Sequence, residues 1–307
     1  MSEVYFIKAQ RPRYNKSESL VIKLPELLDK VGLGNILSKD ALVAIKIHFG
    51  VVGGYRSIRP QFIKQLVDYI KNKETHPFLV DTWGLKHVYD AYFNGLSYAT
   101  VGAPIIPANG VKEKFYYNVK LEGAYHISEV KVAGNVYDAD VLVNFAHGKG
   151  HGSCGFGGVI KNLALGCTTK DVRHKLHDLE KLEEGTKKFQ EGMVDVARAV
   201  LSNKAGKTVH LMWLMDIVEH CDCAPFGLVP IVPDIGILAS KDIVALEKAA
   251  LDLIDQAPPL PWSAAEKYDL KPGENKFLRI HGKDPYIQVY AAEKAGLGNT
   301  DYKLIEV

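Results

Sequence analysis

Cysteine is scarce in this chain, with four in 307 residues. That is too few for a disulfide scaffold, and in a reducing compartment such residues read as thiols or metal ligands. Long apolar runs are missing as well: nowhere do about 18 consecutive apolar residues occur, which argues against a membrane span. The first twenty residues hold one four-residue apolar run and no signal-peptide core, so a cytoplasmic protein is expected. Charge of one sign is not clustered either. Lys and Arg number 38 against 36 Asp and Glu, a net charge of +2, which builds no phosphate-tracking stripe and makes nucleic acid an unexpected partner. There is no internal repeat, no low-complexity tract, and no GxxxxGK followed by Ser or Thr, which excludes a P-loop. What remains, 47% hydrophobic and 24% charged, is the composition of a globular protein with one large domain or two ordinary ones.

Short runs rich in branched residues alternate with helical patterns, the signature of an α/β chain with a largely parallel sheet. The runs predict strands at Val4–Ala9, Leu42–His48, Phe78–Asp81, Pro104–Pro107, Val141–Phe145, Val209–Asp216, Ile235–Ala239 and Tyr302–Val307. Over Pro60–Lys71, Phe62, Ile63, Leu66, Val67 and Ile70 share one helical face, and Pro60 suits the first turn. Asp242 can cap a helix with an Ile243, Leu246, Ala250, Leu253, Ile254 stripe. Phe115–Val132 alternates apolar and polar residues and reads as a small antiparallel insert. The polar, mixed-sign stretch Thr168–Gln190 is expected to be a solvent-exposed connection, and the proline-rich Ala257–Trp262 a surface crossing. The fold expected is doubly wound α/β with mostly parallel sheet in two lobes, residues 1–144 with the antiparallel insert near 114–132, and residues 145–307.

Three segments could carry chemistry. In Asn144–Cys167 a strand runs into a loop with glycines at 148, 150, 152, 155, 157 and 158 and then an apolar helix. Such a loop lets backbone approach a ligand, and the helix N-terminus favours an anion. Gly150-x-Gly152-x-x-Gly155 matches the dinucleotide fingerprint in form, but no second strand ending in an acid follows at the required distance, so that reading fails. Glycine spacing gives no reason for His147, Lys149, His151 and Cys154 to crowd together, followed by Lys161, Asn162 and Cys167; a metal or an anionic ligand does. The plainer alternative is that His151 and Cys154 fill space near a sheet edge. The second segment, Asp216–Asp234, places Cys221-Asp222-Cys223 after a strand, with His220 and three prolines. Two thiols in CxC spacing can share one metal or sit unligated in a stiff loop, and the familiar zinc and ferredoxin spacings are CxxC. The third, His48–Arg59, offers His48, Arg56 and Arg59 around Gly53 and Gly54, a pattern for carboxylate or phosphate capture or simply for solvated arginines. Asp81 at the end of its strand is either a site carboxylate or a helix cap.

The runs VAIKIHFG (Val43–Gly50), RSIRP (Arg56–Pro60), LVDT (Leu79–Thr82), GKGHGSCGFGGVIKNLALGC (Gly148–Cys167), CDCAPFGLVPIVPDIGILASKD (Cys221–Asp242) and AEKAGLGNTDYKLIEV (Ala292–Val307) resemble the uncharacterised iron-sulfur-centre proteins, a domain of unknown function in bacteria and archaea. The likeness covers nearly the whole chain in order. It implies a domain that often carries, between the two cysteine-bearing blocks, a ferredoxin-like insert with CxxCxxCxxxCP runs. Here HDLEKLEEGTKKF stands in that place without a cysteine, so those clusters do not carry over. Cys167, Cys221 and Cys223 match the family pattern, whereas Cys154 stands where the family more often has an apolar or small residue.

The expectation is a metal- or iron-sulfur-dependent enzyme or redox protein acting on an anionic small molecule in a crevice between strand ends. The centre expected is an iron-sulfur cluster or zinc, held by Cys167, Cys221, Cys223 and His151, with Cys154 as the runner-up for the fourth place. His48, Arg56, Arg59, Asp81, Lys149, Lys161 and Asn162 are expected to face the ligand. Two alternatives stay open: a metal-free enzyme for a phosphate- or carboxylate-bearing ligand, and a non-catalytic metal or cluster carrier working beside a redox partner such as a ferredoxin.

Overall fold

The computed structural model describes residues 1–10, 15–226 and 228–307; Gly227, within the quoted CxC-bearing run, lies outside the described residues. Among the described residues one eight-stranded sheet organises the chain. Its order is Tyr302–Glu306, Ser2–Lys8, Gly236–Ser240, Thr208–Leu214, Val141–His147, Leu42–Lys46, His76–Asp81 and Ile105–Pro107. Gly236–Ser240 is antiparallel to both its neighbours, and every other pairing is parallel. All eight predicted strands are present, with ends shifted by a residue or two.

Successive side chains of each strand feed opposite faces, as the pleat requires. Val43 and Ile45 join Leu79, Val143 and Trp213 on one face, under the helices Leu20–Lys30 and Pro60–Lys71. Ala44, Leu142, Ala146 and Met212 serve the other, under Val159–Gly166, Gly185–Leu201 and Ile243–Gln256. Helices on both faces of a mostly parallel sheet make the doubly wound α/β arrangement. Pro60 opens its helix, and Asp242 caps the other, accepting from Val244 N and Ala245 N.

Three expectations need correction. Strands of both halves interleave in one sheet, so residue 144 is no boundary between two sheets; it lies inside the strand Val141–His147. The polar stretch after Thr168 is helical, Lys170–Glu180 turning into Gly185–Leu201. Its apolar stripe is only as wide as the buried Val172 and Leu176, which mean composition hides. The glycine-rich loop is partly regular, pairing Lys149–His151 with Gly155–Gly157. The insert pairs Tyr116–Lys120 with Glu129–Ala133, antiparallel as expected. No helix among the described residues is long and apolar enough to cross a membrane.

Candidate functional site

The carboxyl ends of Leu42–Lys46, His76–Asp81, Val141–His147 and Thr208–Leu214 point the same way, and the loops leaving them enclose a cavity of about 590 Å³. This is where open α/β sheets place their ligands. His48, Asp81, Lys149, His151, Lys161, Asn162, Cys221 and Cys223 all line it. Arg56, Arg59 and Cys167 do not. Arg56 and Arg59 hold the two oxygens of Asp216 at 3.0 and 2.5 Å, and Arg59 lies over Trp213; their charge is spent on fixing the loop after Thr208–Leu214. Cys167 closes the helix Val159–Gly166 and turns into the apolar core.

Close packing makes this wall. A Cβ on Gly150 would meet Glu219 O at 2.2 Å, so the hairpin and the cysteine-bearing loop touch through backbone alone. A Cβ on Gly166 would fall 1.8 Å from Lys46 Cε; only glycine leaves room for the lysine, which rises from the sheet beneath that helix.

Asp81 is the hub of the cavity floor. One carboxylate oxygen takes Lys46 Nζ at 3.1 Å. The other takes His87 Nε2 at 3.0 Å, Phe49 N at 3.1 Å and His48 Nδ1 at 3.3 Å. Burial opposes its ionisation, but Lys46 and then His87 and His48 outweigh it and hold the carboxyl well below the usual carboxylate range. By separation, His48, Asp81 and His87 could hold a metal ion, because one donor atom of each lies within 4.8 Å of the others. They are the sole such group among the described residues. The expected set of Cys167, Cys221, Cys223 and His151 is therefore not gathered around one point.

Two thiols reach the cavity. Cys221 Sγ lies 3.7 Å from His48 Nε2 and 3.6 Å from Lys161 Nζ. The hydrogen bond from Cys223, with Lys161, His151 and His48 behind it, outweighs burial and puts the Cys221 thiol well below its ordinary value. Burial dominates at the other two, pushing Cys154 and Cys167 up to about 12 within the core against the weaker pull of Lys161 on the first and Lys46 on the second. A 4Fe–4S cluster takes four thiolates, and this donor set, two thiols at the cavity and two sealed away from it, does not fit one.

The cations divide by partner. Lys149 Nζ sits 3.1 Å from Asp222 Oδ2, whose other oxygen takes His147 Nδ1 at 2.8 Å. Arg173 meets Glu113 at 2.6 Å. Lys161, 8% exposed, has Cys221 as its hydrogen-bond partner and no carboxylate within ion-pair reach among the described residues. His151 is neutral near pH 7: burial, helped by Lys161, lowers it to about 4. Asn162 donates to Lys46 O, Asn144 Oδ1 and Phe145 O and accepts from Lys46, which makes it a brace between helix and strands.

Sequence reasoning missed Lys46, His87 and the face formed by Lys170, Arg173, His174 and His177, all lining the cavity. The signal for Lys46 was a lysine ending an apolar buried strand. For the helix it was basic residues at spacings of three and four, the period of one helical face.

The lactate racemase apoprotein from Thermoanaerobacterium thermosaccharolyticum is similar at 12% identity and a TM-score of 0.48, over 100% of this chain and 83% of that chain, a likeness too distant to transfer chemistry. No curated protein matches. The family model described as a domain of unknown function (DUF362) matches residues 43–252, more than half of the chain, and the chain belongs to that family.

Proposed function

We propose that the protein is an enzyme that binds an anionic small molecule, carboxylate- or phosphate-bearing, in the cavity at the strand ends. The observation that carries this is Lys161: a buried ammonium in the cavity wall, without a carboxylate partner among the described residues. Its hydrogen-bond partner among the described residues is the Cys221 sulfur at 3.6 Å, which occupies one of three ammonium donors, and the others suit an anion entering from the cavity. Lys170 lines the same cavity, as does Arg173, whose charge is shared with Glu113. The strong hydrogen-bond and thiol groups at the floor supply reactive chemistry beside it.

His48, Asp81 and His87 support a second reading, a metal ion at the floor, favoured by their spacing. Asp81 already accepts from Lys46, His87, His48 and Phe49 N, which is why the anion reading stands first. Metal analysis of purified protein separates the two: stoichiometric metal that His87→Ala loses would move the metal into the site.

Thermal unfolding in the presence of inorganic phosphate and simple mono- and dicarboxylates, against neutral analogues, tests the main reading. One anion class should raise the melting temperature of the natural protein and leave that of Lys161→Met unmoved. Equal shifts in both proteins, or none for any anion, would overturn it.

A further inference from the structure

The cavity floor holds an arrangement that anion binding does not require. Cys221 and His48 lie in the loops after two strands and Asp81 ends a third, yet Cys221 Sγ lies 3.7 Å from His48 Nε2, and His48 Nδ1 lies 3.3 Å from Asp81 Oδ2. Thiol, imidazole and carboxylate thus form a line, and all three border the cavity. Gly50 N donates to the same Nδ1, at 3.2 Å, when that nitrogen carries no proton; Asp81, the charged partner, favours a proton there, and either way Nε2 faces the sulfur. Asp81 is itself immobilised by Lys46, His87 and Phe49 N. A nucleophile, a base in reach of it and a fixed group that orients the base is the geometry of covalent catalysis.

We propose that Cys221 is the nucleophile of an acyl transfer, with His48 as its base and Asp81 as the positioning carboxylate, acting on an ester, thioester or amide that also carries a carboxylate or phosphate. The negative group rests on the reading of the cavity as an anion site; the nucleophile does not. Lys161 Nζ, 3.6 Å from the same sulfur, brings that negative group beside the reacting atom. Sγ, a thiolate whose proton is held by His48, bonds to the acyl carbon. The bond from that carbon to the leaving alcohol, thiol or amine then breaks, and the leaving group departs with the proton from His48. Water adds to the thioester while His48 takes its proton; the carbon–sulfur bond breaks, the sulfur leaves as thiolate beside the protonated His48, and the acid is released. The sum is one ester, thioester or amide plus water giving an acid and the protonated leaving group, with no change of oxidation state. An imidazole that both accepts and returns a proton suits a leaving group that must depart protonated, which is the reason to assign acyl chemistry.

The test uses the full chain and two probes, mono-4-nitrophenyl succinate and the uncharged 4-nitrophenyl acetate, with nitrophenolate release followed and the acylated residue mapped by mass spectrometry. The proposal expects acylation of Cys221 at least about 100-fold faster than free cysteine at the same pH, and a loss of similar size in His48→Gln. Melting temperatures of the variants identify any that fail to fold, and the natural protein decides the question without them. Acylation confined to Cys223, or acylation of Cys221 no faster than free cysteine, overturns the nucleophile. Equal rates for both probes on Cys221 sustain the nucleophile and count against the anion site. Anion-dependent stabilisation without any acylation of Cys221 does the reverse.

Discussion

Arg56 and Arg59 show why residue type alone misleads. Two arginines after a glycine pair look like an anion clamp, and local sequence gives no view of Asp216, some 160 positions away, which takes both guanidinium groups. Arg56→Gln should therefore leave anion-induced stabilisation of the natural size while lowering stability by roughly 1 kcal/mol or less, the range of a partly exposed ion pair; calorimetric titration and urea unfolding read the two effects. Lys46 is the converse. Nothing in VAIKIHFG says that its lysine is fully enclosed, because the glycine that makes room for it, Gly166, is 120 positions on. Gly166→Ala should push Lys46 off Asp81 and cost about 1–3 kcal/mol, as overpacking in a dense interior does, read as a lower midpoint in urea. The crowding of Cys221, Cys223, His151 and Lys161 near strand ends was readable in the sequence, and all four line the cavity; the fourth expected ligand, Cys167, was not separable from core, since a thiol packs as a small apolar group.

At the scale of elements, strands and helices with a clear period were readable from the sequence, and Pro60–Lys71 occupies the span its apolar face and first-turn proline predict. The helix Lys170–Glu180 was not readable, because its inward side is two residues wide and its remaining faces are charged. The helix that presents Lys161 has its start held by a buried acid: Glu247 Oε2 accepts from Val159 N at 2.7 Å. Burial raises Glu247 to about 7. The folded protein thus keeps a proton that the unfolded chain releases near the ordinary glutamate value, so the unfolded chain holds fewer protons between about 4.5 and 7. Stability from this group falls as pH rises through that window and levels off above it. The full swing is of order 3 kcal/mol. Glu247→Gln keeps a carbonyl acceptor for Val159 N; the stability difference between variant and natural protein, by urea unfolding at pH 4.5 to 8, should grow in the variant's favour as pH rises to about 7. A difference independent of pH would show that Glu247 is ionised throughout.

Across the whole molecule, fold class and strand positions were legible while the partition was not. Alternating strands and helices say that a parallel sheet forms, but not which strands neighbour each other. Here the last strand, Tyr302–Glu306, pairs with the first, Ser2–Lys8, and the chain's two halves share one sheet. Helix packing on both faces then ties the loops at the cavity's four strand ends to a common frame. Urea unfolding followed by far-ultraviolet dichroism and by tryptophan fluorescence, with Trp83 and Trp262 replaced by Phe so that it reports Trp213, buried in the middle of the sheet, should give coincident transitions; two separated transitions would restore the two-lobe division. The central claim is that the cavity at the strand ends receives an anion on Lys161. A crystal structure of the protein grown with the carboxylate or phosphate that stabilises it most tests this directly. The account expects the anionic group within hydrogen-bond distance of Lys161 Nζ and beside Cys221; the same compound bound elsewhere, with Lys161 still facing only Cys221, would contradict it.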